Sequence, residues 1–136
     1  MRELILDAGP LIALFSAKDS DHLICRAGFE QLNRTRTALL VPLPMIFEVH
    51  KWLLYNQSTI VAQNTLKAMQ NSLHAIPIGQ SGFERICLMM QGLSQWRGSL
   101  EDATVIILAQ RYRCPVWTLN YRDFGMFKSL EFWNLS

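Results

Sequence analysis

The 136-residue sequence predicts an α/β fold: a mostly parallel central sheet of four to five strands, covered by helices on both faces, in one domain spanning residues 1–136. Two observations carry that reading. Short, nearly continuous apolar runs alternate along the chain with longer stretches of helical periodicity, the order from which parallel sheets are built. Half of the residues are apolar, enough for a chain of this length to bury a core without cross-links.

In chain order, "ELIL" (3 to 6) is a short buried strand that stops at Asp7, and "GPLIALFS" after it opens a helix, with Pro10 where a first turn tolerates it. The polar run "KDSD" breaks the pattern. A helix from about Ser20 to Asn33 follows, with Leu23, Ile24, Ala27 and Leu32 on one face, and "TALLV" (37 to 41) is the second strand. Pro42 and Pro44 mark the junction to "MIFEVHKWLLY", a helix that pairs as a hairpin with another from Ser58 to about Ser72. "LHAIPI" (73 to 78) is the third strand. Ser81 and Glu84 have the S-x-x-E spacing of a capping box, which predicts a helix from there to about Trp96. Ser99 and Asp102 repeat that spacing before "ATVIILAQRY"; "PVWTL" (115 to 119) is the fourth strand and "LEFWN" a candidate fifth.

Composition narrows function mainly by exclusion. The formal charge is only +2 and the Lys and Arg residues are scattered, so any nucleic-acid contact must come from local patches and not from a basic tail. Cys25, Cys87 and Cys114 are odd in number, far apart and set among apolar neighbours, which reads as buried thiols in a reducing cytosol. Asp7 and Pro10 interrupt "LILDAGPLIALF", so neither a signal peptide nor a membrane span is expected, and the expected location is cytoplasmic. His22, His50 and His74 share no metal-ligand spacing, and there is no G-x-G-x-x-G, P-loop or nucleophile elbow.

In an open α/β sheet, ligands gather beyond the carboxyl ends of the strands. The polar residues leaving strands or opening the next helices are Asp7, Glu48, Asp102, Asn120 and Asp123. Asp7 and Asp102 also suit helix N-termini, the latter as the reciprocal member of a capping box with Ser99. Glu48 is harder to explain locally. It interrupts an apolar face between Met45 and Trp52, where a carboxylate needs a partner or a cation. Glu101, beside Asp102, reads as solvated, because adjacent helical side chains diverge. Carboxylates gathered together repel, and a hard divalent cation such as Mg²⁺ or Mn²⁺ makes such a cluster tolerable. An ion of that kind activates water and neutralises charge on a phosphodiester, so the implied chemistry is phosphoester hydrolysis.

The segments "LILDAGPLIAL", "PLPMIFEVHKWL" and "SLEDATVIILAQRYRCPVWTLNYRDF" together resemble the PIN-domain ribonucleases, in particular the VapC-like toxins of toxin-antitoxin pairs. The resemblance covers nearly the whole chain. It implies a PIN-like three-layer α/β/α sandwich, a Mg²⁺- or Mn²⁺-dependent endoribonuclease acting on RNA, and often a homodimer inhibited by an antitoxin protein. The family's first three acids fall on Asp7, Glu48 and Asp102, and its fourth, in a T-x-D element, falls on Asn120 after Thr118. An amide oxygen there coordinates or orients water but brings no charge, and Asp123 is the candidate for compensation. On that reading Asp7, Glu48, Asp102 and Asn120 hold the metal, Asp123 joins them in catalysis, Thr118 supports them, and Arg97, Arg111, Arg113 and Arg122 are candidate phosphate contacts.

Two other functions remain open on the sequence. The missing fourth acid leaves room for a weakened or non-catalytic PIN-like binding module. A receiver-like phosphoryl acceptor fits less well, since it wants paired acids after the first strand and a late lysine, whereas this chain has Asp7 alone and no lysine between Lys67 and Lys128.

Overall fold

The structure, a computed structural model, describes residues 2–136. Its elements run β1 (Glu3–Leu6), α1 (Ala8–Phe15), α2 (His22–Arg34), β2 (Ala38–Pro42), α3 (Leu43–Asn56), α4 (Thr59–Ser72), β3 (His74–Ile76), α5 (Gly79–Gln91), α6 (Leu100–Tyr112), β4 (Val116–Trp117) and α7 (Tyr121–Phe124). The four strands form one parallel sheet in the order β3-β2-β1-β4. Parallel crossovers are right-handed, which places α1 to α4 on one face of the sheet and α5 and α6 on the other. Packing agrees with that arrangement: α1 lies against α2 and α3, α3 against α4, and α5 against α6.

Leu4, Ile5 and Leu6 of β1 are all buried, as a strand covered on both faces requires, whereas the edge strand β3 is largely exposed. Val41, Val49, Leu53, Val105, Ile106 and Leu108 fill the space between sheet and helices. Gly28 lets α2 approach β4 closely, because a β-carbon there would lie 2.6 Å from the Trp117 ring.

The expected order of elements holds, with local differences. Helix α5 starts at Gly79, where φ is +74°, and not at a Ser81 cap; Glu84 instead accepts from Gln80 Nε2 at 3.3 Å within the helix. The same helix ends at Gln91 with Gly92 as its C-cap, so Trp96 lies in the following loop. The candidate fifth strand contributes a single parallel bridge, Phe132 to Val116, outside β4. Helix α7 is an addition, too short to leave a periodic pattern. Of the three thiols, Cys25 is buried and Cys114 half-buried, but Cys87 is exposed, since the inward side of α5 is taken by Gly82 and Ile86. Among the described residues no helix is long and apolar enough to cross a membrane.

Candidate active site

Strand order reverses at β1: β2 and β3 lie to one side of it and β4 to the other. The crevice at such a reversal is where parallel α/β sheets present ligand sites. The β1/β4 register sets Leu6 opposite Trp117, which brings the next residues of each strand, Asp7 and Thr118, to the same level. Asp7 is buried; its Oδ1 accepts from the Ala8 amide at 2.8 Å, and its Oδ2 accepts from the Thr118 hydroxyl at 2.7 Å. The same Thr118 oxygen accepts from the Asn120 amide at 2.9 Å, so one hydroxyl ties the end of β4 to the first acid.

The second and third acids come from the starts of two helices that touch, α3 and α6. Glu48 is half-buried, near the N-terminal end of α3. Asp102 completes the expected capping box: its Oδ2 accepts from the Ser99 amide at 2.9 Å while Ser99 Oγ accepts from the Asp102 amide at 3.1 Å. Burial raises the Asp7 carboxyl to about 6, against the pull of its two hydrogen bonds, and Asp102 adds to the rise. Burial also raises Glu48, to about 7, with Asp7, Asp102 and Glu101 pushing the same way and Lys51 opposing. The three expected acids therefore share one electrostatic environment. Glu101 belongs to it as well, half-buried and acting on Glu48, contrary to the solvated placement expected from sequence.

The Asn120 side chain is paired with Asp123. Its Nδ2 donates to Asp123 Oδ2 at 3.0 Å, and its Oδ1 accepts from the Asp123 amide at 3.4 Å as the N-cap of α7. Asp123 is buried, with the exposed Arg122 guanidinium 3.8 Å from its Oδ1. Sequence reasoning did not anticipate Trp96 in this corner: its indole N–H donates to the Asp123 carbonyl at 2.9 Å. Nor did it single out Lys51, although a lysine three residues after Glu48 lies on the same helical face.

Of the candidate phosphate contacts, Arg97 and Arg122 are exposed near this end of the molecule, on a loop and a short helix joined through Trp96 and Asp123. Arg111 donates to the Ile78 carbonyl at 3.2 Å. It stands nine residues along α6 from Asp102, about 14 Å at the helical rise. Arg113, the left-handed C-cap of α6, is at that far end too.

The donor set suits a hard cation. Its ligand atoms are all oxygen, and among the described residues no Lys or Arg forms an ion pair with Asp7, Glu48 or Asp102. Among those residues no group of three or more His, Cys, Asp or Glu side chains is gathered tightly enough to hold an ion by itself. An ion that keeps several of its waters, as Mg²⁺ does, takes fewer direct protein ligands than such a group supplies.

No family model matches the chain, and no curated protein matches it in sequence. Solved structures do match it in shape. VapC20 of Mycobacterium tuberculosis, a toxin that cleaves the sarcin-ricin loop, superposes with a TM-score of 0.78 at 11% identity, over 90% of this chain and 94% of that one. VapBC2 of Rickettsia felis, solved on a DNA fragment from its promoter, gives 0.77 at 12% identity over 98% and 99%. A toxin-antitoxin complex from Klebsiella pneumoniae gives 0.71 at 22% identity over 97% and 99%. Superposing over nearly all of its length on these structures, the chain, with its four-stranded parallel sheet, has their PIN-like fold.

Proposed function

We propose that the protein is a Mg²⁺- or Mn²⁺-dependent endoribonuclease, the toxin of a toxin-antitoxin pair. The observation that carries this reading is that Asp7, Glu48 and Asp102, from three separate segments, are near enough for Asp7 and Asp102 to act on Glu48 and for Asp102 to act on Asp7, with no Lys or Arg among the described residues in an ion pair with them. Supporting it is a fold shared end to end with structures of VapC toxins, one of which cleaves RNA in the sarcin-ricin loop. The VapBC and toxin-antitoxin complexes among those structures support an antitoxin protein as partner. A homodimer and a cytoplasmic location complete the proposal.

Asp7, Glu48 and Asp102, directly or through waters, are the residues that would hold the ion, with Asn120 at its margin. The ion, when bound, supplies the charge that makes water nucleophilic and offsets the negative phosphodiester. Thr118 fixes Asp7 in one rotamer by its 2.7 Å hydrogen bond, leaving the carboxylate's remaining lone pairs for the site. Asp123, aimed by the Asn120 amide, would orient water or take its proton. Arg97 and Arg122, both exposed, would meet the RNA backbone.

A second reading, a binding module that does not cut, draws on the same Asn120: its amide is committed to Asp123 and brings no fourth charge. Cleavage of a mixed RNA pool decides between them, run with Mg²⁺ or Mn²⁺, with chelator, and with Asp7→Asn and Asp102→Asn. Ion-dependent cutting lost in both variants is the expected result. Cutting no faster than either variant, by folded protein free of antitoxin, would leave the binding module.

A further inference from the structure

A cleft of about 440 Å³ opens beside Glu48, bounded by Pro44, Phe47, Glu48, Lys51 and Glu101. That volume lies within the ~300–1,000 Å³ of small-ligand sites. Phe47 is 67% exposed, and among the described residues it stacks on no other aromatic ring. Single exposed apolar side chains are ordinary, so exposure alone says little. More telling is the company Phe47 keeps. Lys51 follows it by one helical turn on the same stripe of α3, Glu101 faces it from the first turn of α6, and Glu48 belongs both to the cleft and to the acid cluster. An aromatic face, a cation and an acceptor thus line a space continuous with the catalytic end of the sheet.

We propose that this cleft holds the nucleobase next to the scissile phosphodiester of a single-stranded RNA: Phe47 stacks on the base, Lys51 meets the adjoining phosphate, and Glu101 accepts from an exocyclic amino group. The inference rests on the nuclease reading above and adds a substrate preference to it. Stacking on an aromatic side chain is how single strands are held without regard to sequence. A carboxylate is an acceptor only, so it takes the exocyclic amino group of cytosine, adenine or guanine, and at the position of cytosine's amino group uracil offers only a carbonyl. Strands bearing cytosine or adenine there are therefore favoured over uracil.

The test is steady-state cleavage of short single-stranded rC, rA and rU homopolymers with Mn²⁺. Phe47→Ala should raise KM by about tenfold or more, the scale of one lost stacking contact, and leave kcat near wild type. Phe47→Trp should keep the wild-type KM. Glu101→Gln, which presents both a donor and an acceptor, should narrow the preference for rC over rU. Tyr55→Ala, 78% exposed on the same helix but outside the cleft, is the control expected to change nothing. Melting curves for each variant separate misfolding from lost contact.

If the wild type cuts RNA and Phe47→Ala keeps its KM, the base site is wrong while the nuclease reading stands. If Phe47→Ala leaves KM alone but loosens a bound antitoxin, the cleft is a protein-docking surface and the proposal fails. If the wild type neither binds nor cuts any of the RNAs, both readings fall together.

Discussion

The side-chain amide of Asn120 donates to the carboxylate of Asp123 at 3.0 Å, a bond that an acid at position 120 would lack at neutral pH because an ionised carboxylate has no donor. Asn120 and Asp123 thus form a donor–acceptor pair. Restoring an acid, Asn120→Asp, should keep the cap on α7 but set two carboxylates against each other. Without divalent ions the variant should lose about 1.5–3 kcal/mol, the scale of a lost hydrogen bond to a charged group. Added Mn²⁺ should then stabilise it more than it stabilises the wild type. Equal melting temperatures in chelator would show that the 3.0 Å bond holds nothing.

Thr118 has a comparable role on the other side, donating to Asp7 at 2.7 Å and accepting from the Asn120 amide at 2.9 Å. Thr118→Val keeps the shape and removes the hydroxyl, leaving a buried carboxylate oxygen and an amide without their partner. The expected cost is about 1–3 kcal/mol in urea unfolding. Asp7, already near 6, should titrate higher still once this bond no longer favours its charged form. A titration of Asp7 unmoved by the substitution would mean that burial alone sets it.

How much of this was legible depended on the range of the interactions involved. The strands and long helices announce themselves by periodicity, and Asp7, Glu48 and Asp102 by their places at strand ends and helix starts. The Ser99–Asp102 capping box formed as its spacing predicted, whereas Ser81 and Glu84, with the same spacing, lie inside a helix already begun at Gly79. A local pattern is compatible with both outcomes, and packing chose between them. Trp96 shows the other limit. Its bond to Asp123 joins residues 27 apart in sequence, and nothing near either one foretells it. Glu101 was misplaced for a similar reason: divergence from Asp102 along α6 does not take it away from α3, which faces both.

On the proposed reading, acidity at the site ties ion binding to pH. Asp7 and Glu48 both titrate higher in the folded chain than in an unfolded one, near 6 and 7 against 3.8 and 4.5. Proton loss as pH rises from about 4 to about 7 therefore costs the folded state, and the ion-free protein is least stable above that window. Glu48→Gln should raise the unfolding free energy in chelator at about pH 8, by on the order of 1–2 kcal/mol after allowing for solvent screening, and change little at about pH 4. Mg²⁺ or Mn²⁺ should likewise stabilise the wild type more at the higher pH, because protons compete for the same oxygens below it. An ion-induced shift that is the same at both ends of the window would place the ion away from Asp7 and Glu48.

Trp96 holds the same residue that Asn120 holds, from the opposite side. Its indole N–H bonds the Asp123 carbonyl at 2.9 Å, its ring meets Phe127 edge-on at 5.4 Å between centroids, and Gly98 leaves the space its indole fills. A β-carbon at position 98 would overlap that indole, so Gly98→Ala should cost about 1–3 kcal/mol by overpacking. Trp96→Phe, which retains an aromatic ring but drops the donor and some buried volume, should cost about 1–3 kcal/mol or more. Because Trp96 fixes the Asp123 backbone and Asn120 its side chain, Trp96→Phe and Asn120→Ala should not add. A double-mutant cycle on unfolding free energy should return a coupling of at least about 0.5 kcal/mol, the signature of residues that share a partner. The same cycle on cleavage rate should show coupling too, since an Asp123 freed on either side is already misplaced. Strict additivity in both cycles would mean that the two contacts act independently and that Asp123 is not held between them.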